Sequence, residues 1–305
     1  MYDTTYHKAS SATDAALLLS GAEDGKVLAG GQTLIPTMKA RLAAPSDLID
    51  VSGISEMKGV CVTGTSVSIG AATTHADVAS NAELKGICPS ICALAENIGD
   101  PAVRHRGTLG GSIANNDPAA DYPAAMLALN ATIRTTKREI GADDFFTGMF
   151  DTALDEDEII LSVTFDAPPK AAYAKFANPA SRYAMCGVFV AQSDGGVRVA
   201  VTGAGADGVF RADDMEAALA ADFSAALAFQ YYEKTKRVNK LDAMFRPGDF
   251  EDTIGLYSLE PYRSDRIPLI LVHGLMATGE GWLPFVNLLQ VDPVVREKYQ
   301  LFLFD

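Results

Sequence analysis

Apolar residues recur at helical spacing in "ATDAALLLSGAE", residues 12–23, and the run stops at glycine and acidic side chains, which predicts a helix. "KVLAGG" (26–31) reads as a short buried strand, and "TLIPTMKARL" (33–42) as a helix with Thr33 near its start. "DLIDVSG" (47–53) reads as a second strand after a turn containing Pro45. This β-α-β alternation predicts a small parallel unit. From about Val60 the texture changes. "VCVTGTSVSIG" is two short strands joined at a Gly-Thr turn, and "ELKGICPSICALAENIG" is helical with Pro89 at a first turn or a break. "DYPAAMLALNATIRT" is a helix running into a strand. "EIILSVTF", "AYAKFA", "MCGVFVAQ" and "VRVAVTGAG" are strands, and "RADDMEAALAA" is a helix.

Near Ala225 the alanine-rich, acidic style gives way to "FQYYEKTKRVNKLDAMFRPGDF", which is aromatic and basic. A strand pair in "TIGLYSLEP" and "RIPLILVHG" follows, then a helix in "GWLPFVNLLQ" and an apolar "YQLFLFD". No flexible linker marks this shift, although domain boundaries usually fall in such segments. The 305 residues suffice for two or more domains with their own cores. About -12 of the formal charge of -14 falls in residues 1–227, which argues against non-specific binding to nucleic acid or acidic membranes. No run has the length of a membrane span, and "MYDTTYHKAS" lacks the pattern of a signal peptide, so a cytoplasmic location is expected. Cys61, Cys88, Cys92 and Cys186 lack metal-site spacing and read as buried thiols in a reducing compartment.

Two double-glycine corners carry the candidate chemistry. Gly30 and Gly31 stand between a strand and a helix, followed by Gln32 and Thr33. Amides at a helix start are unpaired and attract phosphate, and glycine lets an anion approach the backbone. On this segment alone a phosphate cradle and an ordinary tight turn are equally good readings. Gly110 and Gly111 form the second corner, with Thr108 before them, Ser112 after, and Asp117 and Asp121 just beyond. Together the corners suit a ligand with a diphosphate and a polar sugar. Asp121 is placed either to accept hydrogen bonds from a ribose or ribityl hydroxyl or to cap the helix at "YPAAMLAL", and Asp117 is the more natural turn residue.

"AGGQTLIPTMKARL", "SIGAATTHADV", "IGDPAVRHRGTLGGSIANNDPAADYPAAMLAL" and "KFANPASRYAMCGVFVA" occur in one order at compatible spacing. Over about residues 1–225 the chain resembles the FAD-binding medium subunit of the molybdenum hydroxylases, the carbon monoxide dehydrogenase and xanthine dehydrogenase family. The resemblance implies an α+β chain: a two-lobed PCMH-type FAD-binding domain over 1–167, then a truncated flavoprotein C-terminal unit with a three-stranded sheet over 168–227. It implies that Ala29, Gly30, Gly31, Gln32 and Thr33 hold the FAD pyrophosphate. Thr108, Leu109, Gly110, Gly111 and Ser112 also line the FAD, Asp121 binds its polar chain, and Tyr183 covers a face of the flavin ring. Ile98 and Leu161 fall where family members place apolar contacts to FAD. It implies an oxidoreductase component with no catalytic acid–base residue and no metal ligand of its own. Its partners would be a molybdenum-cofactor large subunit and a 2Fe-2S small subunit, with quinone, NAD or oxygen as external acceptor.

The sequence departs from that pattern. Ser112 replaces a usual asparagine, "ANNDPAAD" lacks a frequent histidine, and the helices expected after "EAALAADFSAA" are missing. His75 either caps a short helix or lies near the FAD. His105 sits in a basic cluster suited to solvent or a partner, His7 has no context, and Arg182 is expected to pair with surface acids. Residues 228–305 resemble a partial α/β-hydrolase, with His273 and Gly274 after an early strand. The G-x-S-x-G elbow, acid and histidine of that fold are all absent, so no hydrolase activity is expected. The alternative reading is therefore an inactive chimera of two partial sequences.

Overall fold

A computed structural model describes residues 2–221, 256–258, 267–272 and 298–304. The chain divides into two compact units, Met1–Ala217 and Ala218–Asp305. In the first, strands β1 (Thr5–Lys8), β2 (Gly25–Leu28) and β3 (Asp47–Asp50) form a parallel sheet in the order β1-β3-β2. Parallel neighbours need crossovers, which α1 (Ala12–Ser20) and α2 (Leu34–Lys39) supply. Ser11 accepts a hydrogen bond from the Asp14 amide and starts α1, which buries Ala12, Ala15 and Leu19. The β-α-β expectation holds. Strand β1 has no sequence signal, because "TYHK" is mostly exposed at the sheet edge.

The hairpin of β4 (Val60–Thr63) and β5 (Ser66–Gly70) turns through Gly64 at φ 63°. Six short helices follow: α3 (His75–Ser80), α4 (Ala82–Ile87), α5 (Pro89–Glu96), α6 (Pro101–Arg104), α7 (Leu109–Asn115) and α8 (Tyr122–Ala128). Pro89 is both the break before α5 and its first residue, where its missing N–H costs nothing. All seven residues of α8 are buried, as a helix apolar on every side requires. Next come β6 (Thr132–Thr135), β7 (Glu139–Gly141), α9 (Ala142–Phe145), the small pair β8 (Phe146–Gly148) and β9 (Asp151–Thr152), and β10 (Ile160–Asp166). An antiparallel sheet results, in the order β4-β5-β10-β6-β7.

A second antiparallel sheet comprises β11 (Lys170–Ala177), β12 (Ala184–Ser193), β13 (Gly196–Thr202) and β14 (Phe210–Arg211), followed by α10 (Asp213–Ala221). The resemblance implies three strands here, and the structure has four. The two-residue β14 pairs through Ala200 and Val201 and is too short to give a sequence signal. Helix α8 packs on β12 and β13. The Thr202 hydroxyl lies 2.9 and 2.7 Å from the carbonyl oxygens of Pro118 and Ala120 and shares its one proton between them, pinning the segment before α8 to this sheet.

In the second unit, β15 (Leu256–Ser258), β16 (Ile267–Val272) and β17 (Tyr299–Phe304) run in the order β15-β17-β16. The sequence pattern predicts a pair between the first two. Instead each pairs with β17, antiparallel for β15 and parallel for β16. His273, Gly274 and the helix expected over 281–290 lie outside the described residues.

Candidate functional site

The first unit contains a cavity of about 720 Å³ walled by both double-glycine corners. Ala29, Gly30, Gly31, Gln32, Thr33, Ile98, Thr108, Gly110, Gly111, Ser112, Asp121 and Tyr183 all line it. Leu109 and Leu161 are absent from that wall. Leu109 is fully buried in the core, and Leu161 packs against the core while its carbonyl takes the Ala71 amide at 2.9 Å. The neighbours Ile159 and Ile160 face the cavity instead.

The two corners are not alike. At the first, no acceptor among the described residues meets the amides of Gly31, Gln32, Thr33 or Leu34, and Thr33 makes no side-chain cap. Gly31 has φ 68°, the left-handed region that glycine adopts without a steric penalty. At the second, every early amide of α7 is engaged. Leu109 donates to Thr73 O at 3.1 Å, Gly110 to Ala71 O at 2.9 Å, Gly111 to Thr108 Oγ1 at 3.1 Å and Ser112 to Thr108 O at 3.0 Å. The free amides that an anion needs are therefore at the first corner alone. Gly30 has a different job: a methyl there would stand 2.1 Å from the Arg106 carbonyl oxygen. It lets the two loops meet backbone to backbone.

Asp121 precedes α8 with helical angles and no side-chain cap, so the capping alternative fails. Its carboxylate turns to β11. Tyr173 donates its hydroxyl to Oδ1, and Lys175 Nζ lies 2.9 Å from Oδ1 and 3.0 Å from Oδ2. Lys175 also reaches the Asn97 carbonyl at 3.1 Å. Burial pushes the Asp121 carboxyl above its usual range, and Lys175 and the Tyr173 hydroxyl oppose that shift. A carboxylate offers about four acceptor positions. Three are occupied, which leaves one for a ligand hydroxyl. Tyr173 and Lys175 escape the sequence reading, although their i, i+2 spacing in "AYAKFA" puts both on one face of the strand.

Tyr183 follows a turn in which Asn178 Oδ1 accepts the amides of Ala180 and Ser181 and Arg182 has φ 62°. It is half-exposed at the cavity rim. Burial, then Asp117 and Asp121, raise its hydroxyl pKa. Arg182 lines the cavity and forms no ion pair among the described residues, contrary to the expected surface pairing. His75 does not cap α3. Thr74 does, accepting the Asp77 amide at 3.2 Å. His75 is buried in the cavity wall, and burial plus Arg104 lower its pKa to about 4, so the ring is neutral at pH 7. The His105 ring meets the Pro101 carbonyl at 2.6 Å, and His7 meets Asp47 at 2.6 Å. Cys88 and Cys92 are buried as expected, while Cys61 is exposed. Among the described residues no group of acids, histidines and cysteines is placed to hold a metal ion, and no helix is long and apolar enough to cross a membrane.

The family described as the FAD binding domain in molybdopterin dehydrogenase matches residues 2–168. The chain is 37% identical over 209 residues to the nicotine 6-hydroxylase medium subunit of Paenarthrobacter nicotinovorans, covering 65% of this chain and 74% of that protein. It is 35% identical to the carbon monoxide dehydrogenase medium chain of Hydrogenophaga pseudoflava, covering 65% and 73%. The structure of a carbon monoxide dehydrogenase from that organism, lacking the Mo-pyranopterin moiety, superposes with a TM-score of 0.66 at 36% identity, over 71% of this chain and 79% of that one. A cavity of this size, with free amides at one corner and a buried carboxylate at the other, fits a long diphosphate cofactor. The chain belongs to the FAD-binding domain family of the molybdopterin dehydrogenases, and its cofactor is FAD.

Proposed function

We propose that this chain is the flavin-carrying medium subunit of a molybdenum hydroxylase. In this role it relays electrons from the iron–sulfur centres of a small subunit, fed by a molybdenum-cofactor large subunit, to an external acceptor. FAD supplies the redox chemistry when bound, and the protein supplies binding, orientation and electrostatics. The amides at Gly31, Gln32 and Thr33 hold the pyrophosphate. Asp121, steadied by Lys175 and Tyr173, takes a hydroxyl of the polar chain, and Ile98 gives apolar contact. Tyr183 shields a face of the ring. The observation that carries this reading is the cavity itself, with twelve of the fourteen expected residues on its wall.

The purified chain should be yellow, hold about one FAD per chain, and show no flavin bleaching with carbon monoxide, purines or aldehydes unless partner subunits are added. Failure to take up FAD on reconstitution would overturn the reading. A second reading, an inactive chimera whose last 78 or so residues derive from a hydrolase, is supported by the abrupt change of composition near Ala225. Under it the chain still takes up FAD but fails to join the partner subunits.

A further inference from the structure

His75 is only 5% exposed, and its Nδ1 has no hydrogen-bond partner among the described residues. Burying a polar nitrogen without a partner is unfavourable, so Nδ1 calls for a donor close by. The ring is part of the cavity wall. Its Nε2 faces Gly107, where a methyl would stand 2.6 Å away, and the His75 amide donates to the Gly107 carbonyl at 2.9 Å. Gly107 is also one of the atoms Gly30 packs against, so the imidazole lies at the seam of the two loops. Behind the ring stands Tyr122, with centroids 5.4 Å apart. Its fully buried hydroxyl is the second orphan of this region.

Each orphan offers what the other lacks. An imidazole carrying its proton on Nε2 has Nδ1 as acceptor, and Tyr122 O–H is a donor without an acceptor. With the ring centroids 5.4 Å apart, one ordered water between them would satisfy both. The opposite tautomer would turn an Nε2 lone pair toward an anionic ligand. We propose that His75 donates a hydrogen bond from Nε2 to the diphosphate of the FAD, with Tyr122 as the positioning residue that fixes this tautomer. The inference rests on the flavin reading and adds a neutral side-chain donor to a phosphate site otherwise made of backbone amides. A neutral donor suits this place because burial, and after it the nearby Arg104 guanidinium, disfavours a charged ring.

The test uses FAD-free protein titrated with FAD by fluorescence quenching, for wild type and for His75→Gln, His75→Asn and His75→Leu. Glutamine can present an N–H near the Nε2 position, and asparagine near that of Nδ1. His75→Gln should keep affinity within about threefold, while His75→Asn and His75→Leu should lose roughly tenfold or more, the size of a hydrogen bond to a charged group. Nitrogen NMR of labelled histidine should show the Nε2–H tautomer in the complex, and Tyr122→Phe should mix the tautomers. The ³¹P signals of bound FAD should shift in His75→Leu. If that variant fails to fold, as urea unfolding would show, the Gln–Asn contrast and the tautomer decide. Wild type that binds no FAD overturns the flavin reading and this inference with it. Wild type that binds FAD while His75→Asn matches it, or an Nδ1–H tautomer in the complex, overturns this inference alone.

Discussion

Gly30→Ala tests whether the first glycine serves the ligand or the fold. The added methyl would lie 2.1 Å from the Arg106 carbonyl oxygen, 2.6 Å from its carbonyl carbon and 2.8 Å from Gly107 Cα. Ordinary contact begins at 3.4 Å, so the seam must open from 2.1 to 3.4 Å, about 1.3 Å. All three atoms are backbone, and no rotamer relieves them. Overpacking of this kind costs about 1–3 kcal/mol. For a unit of this size each kcal/mol moves the melting temperature by about 2–4 °C, so a fall of about 2–12 °C is expected. The measurement belongs in FAD-free protein, because bound ligand adds its own stabilisation. Gly111→Ala is the control. Its methyl meets only Thr108 Oγ1 at 3.0 Å, at an exposed helical position, so the fold should hold or gain slightly while FAD affinity falls. A Gly30→Ala protein that melts with wild type would refute the backbone seam.

Two further outcomes follow from the buried charges. Lys175→Met leaves the Asp121 carboxylate without its cation, in a pair whose side chains are 6% and 5% exposed, and should cost about 3–5 kcal/mol in urea unfolding at neutral pH. Because burial raises this carboxyl and the variant lacks the lysine that opposes the shift, its folded state takes up a proton more readily than the unfolded chain, so its deficit should shrink on acidification. A deficit independent of pH would sink this account. For His75 the folded pKa of about 4 lies below the unfolded value of 6.5. Its contribution to stability is therefore complete above pH 6.5 and lost as pH falls toward 4, by up to about 3 kcal/mol. Stability profiles of FAD-free wild type and His75→Gln should diverge over that range, and parallel profiles would mean that the ring is solvated.

What was legible in the sequence is what periodicity and glycine encode. Strands β2, β3 and β10 and helices α1 and α8 carry enough apolar residues to declare themselves, and the two glycine corners announce close backbone approach. Strands β1 and β14 are held by neighbours rather than by their own side chains, so nothing local marks them. The pairing of β17 between β15 and β16 is non-local, and short apolar runs do not say which partner they choose. In the site, the glycine corners and Asp121 lie on one cavity wall, but the partners that orient them are not local in sequence. The sequence leaves Asp121 as either a cap or an acceptor for a ligand hydroxyl, and only the arrival of β11, more than fifty residues later, turns its carboxylate to Tyr173 and Lys175.

The same arrival bears on why a charge pair stands where apolar packing would be more stable. A buried ion pair rarely adds net stability over hydrophobic groups of the same shape. Here it does something apolar groups cannot: Lys175, on the second antiparallel sheet, ties together the Asn97 carbonyl after α5 and the carboxylate before α8, which lies on the cavity wall. Tyr183 stands at the end of the turn that follows the same strand. The lysine thus ties β11 to the segments before α8 and after α5, and with it the turn that carries Tyr183 to the cavity rim. A hydrophobic contact would allow the strand to slide, whereas two charge-assisted bonds and one carbonyl bond define a single register.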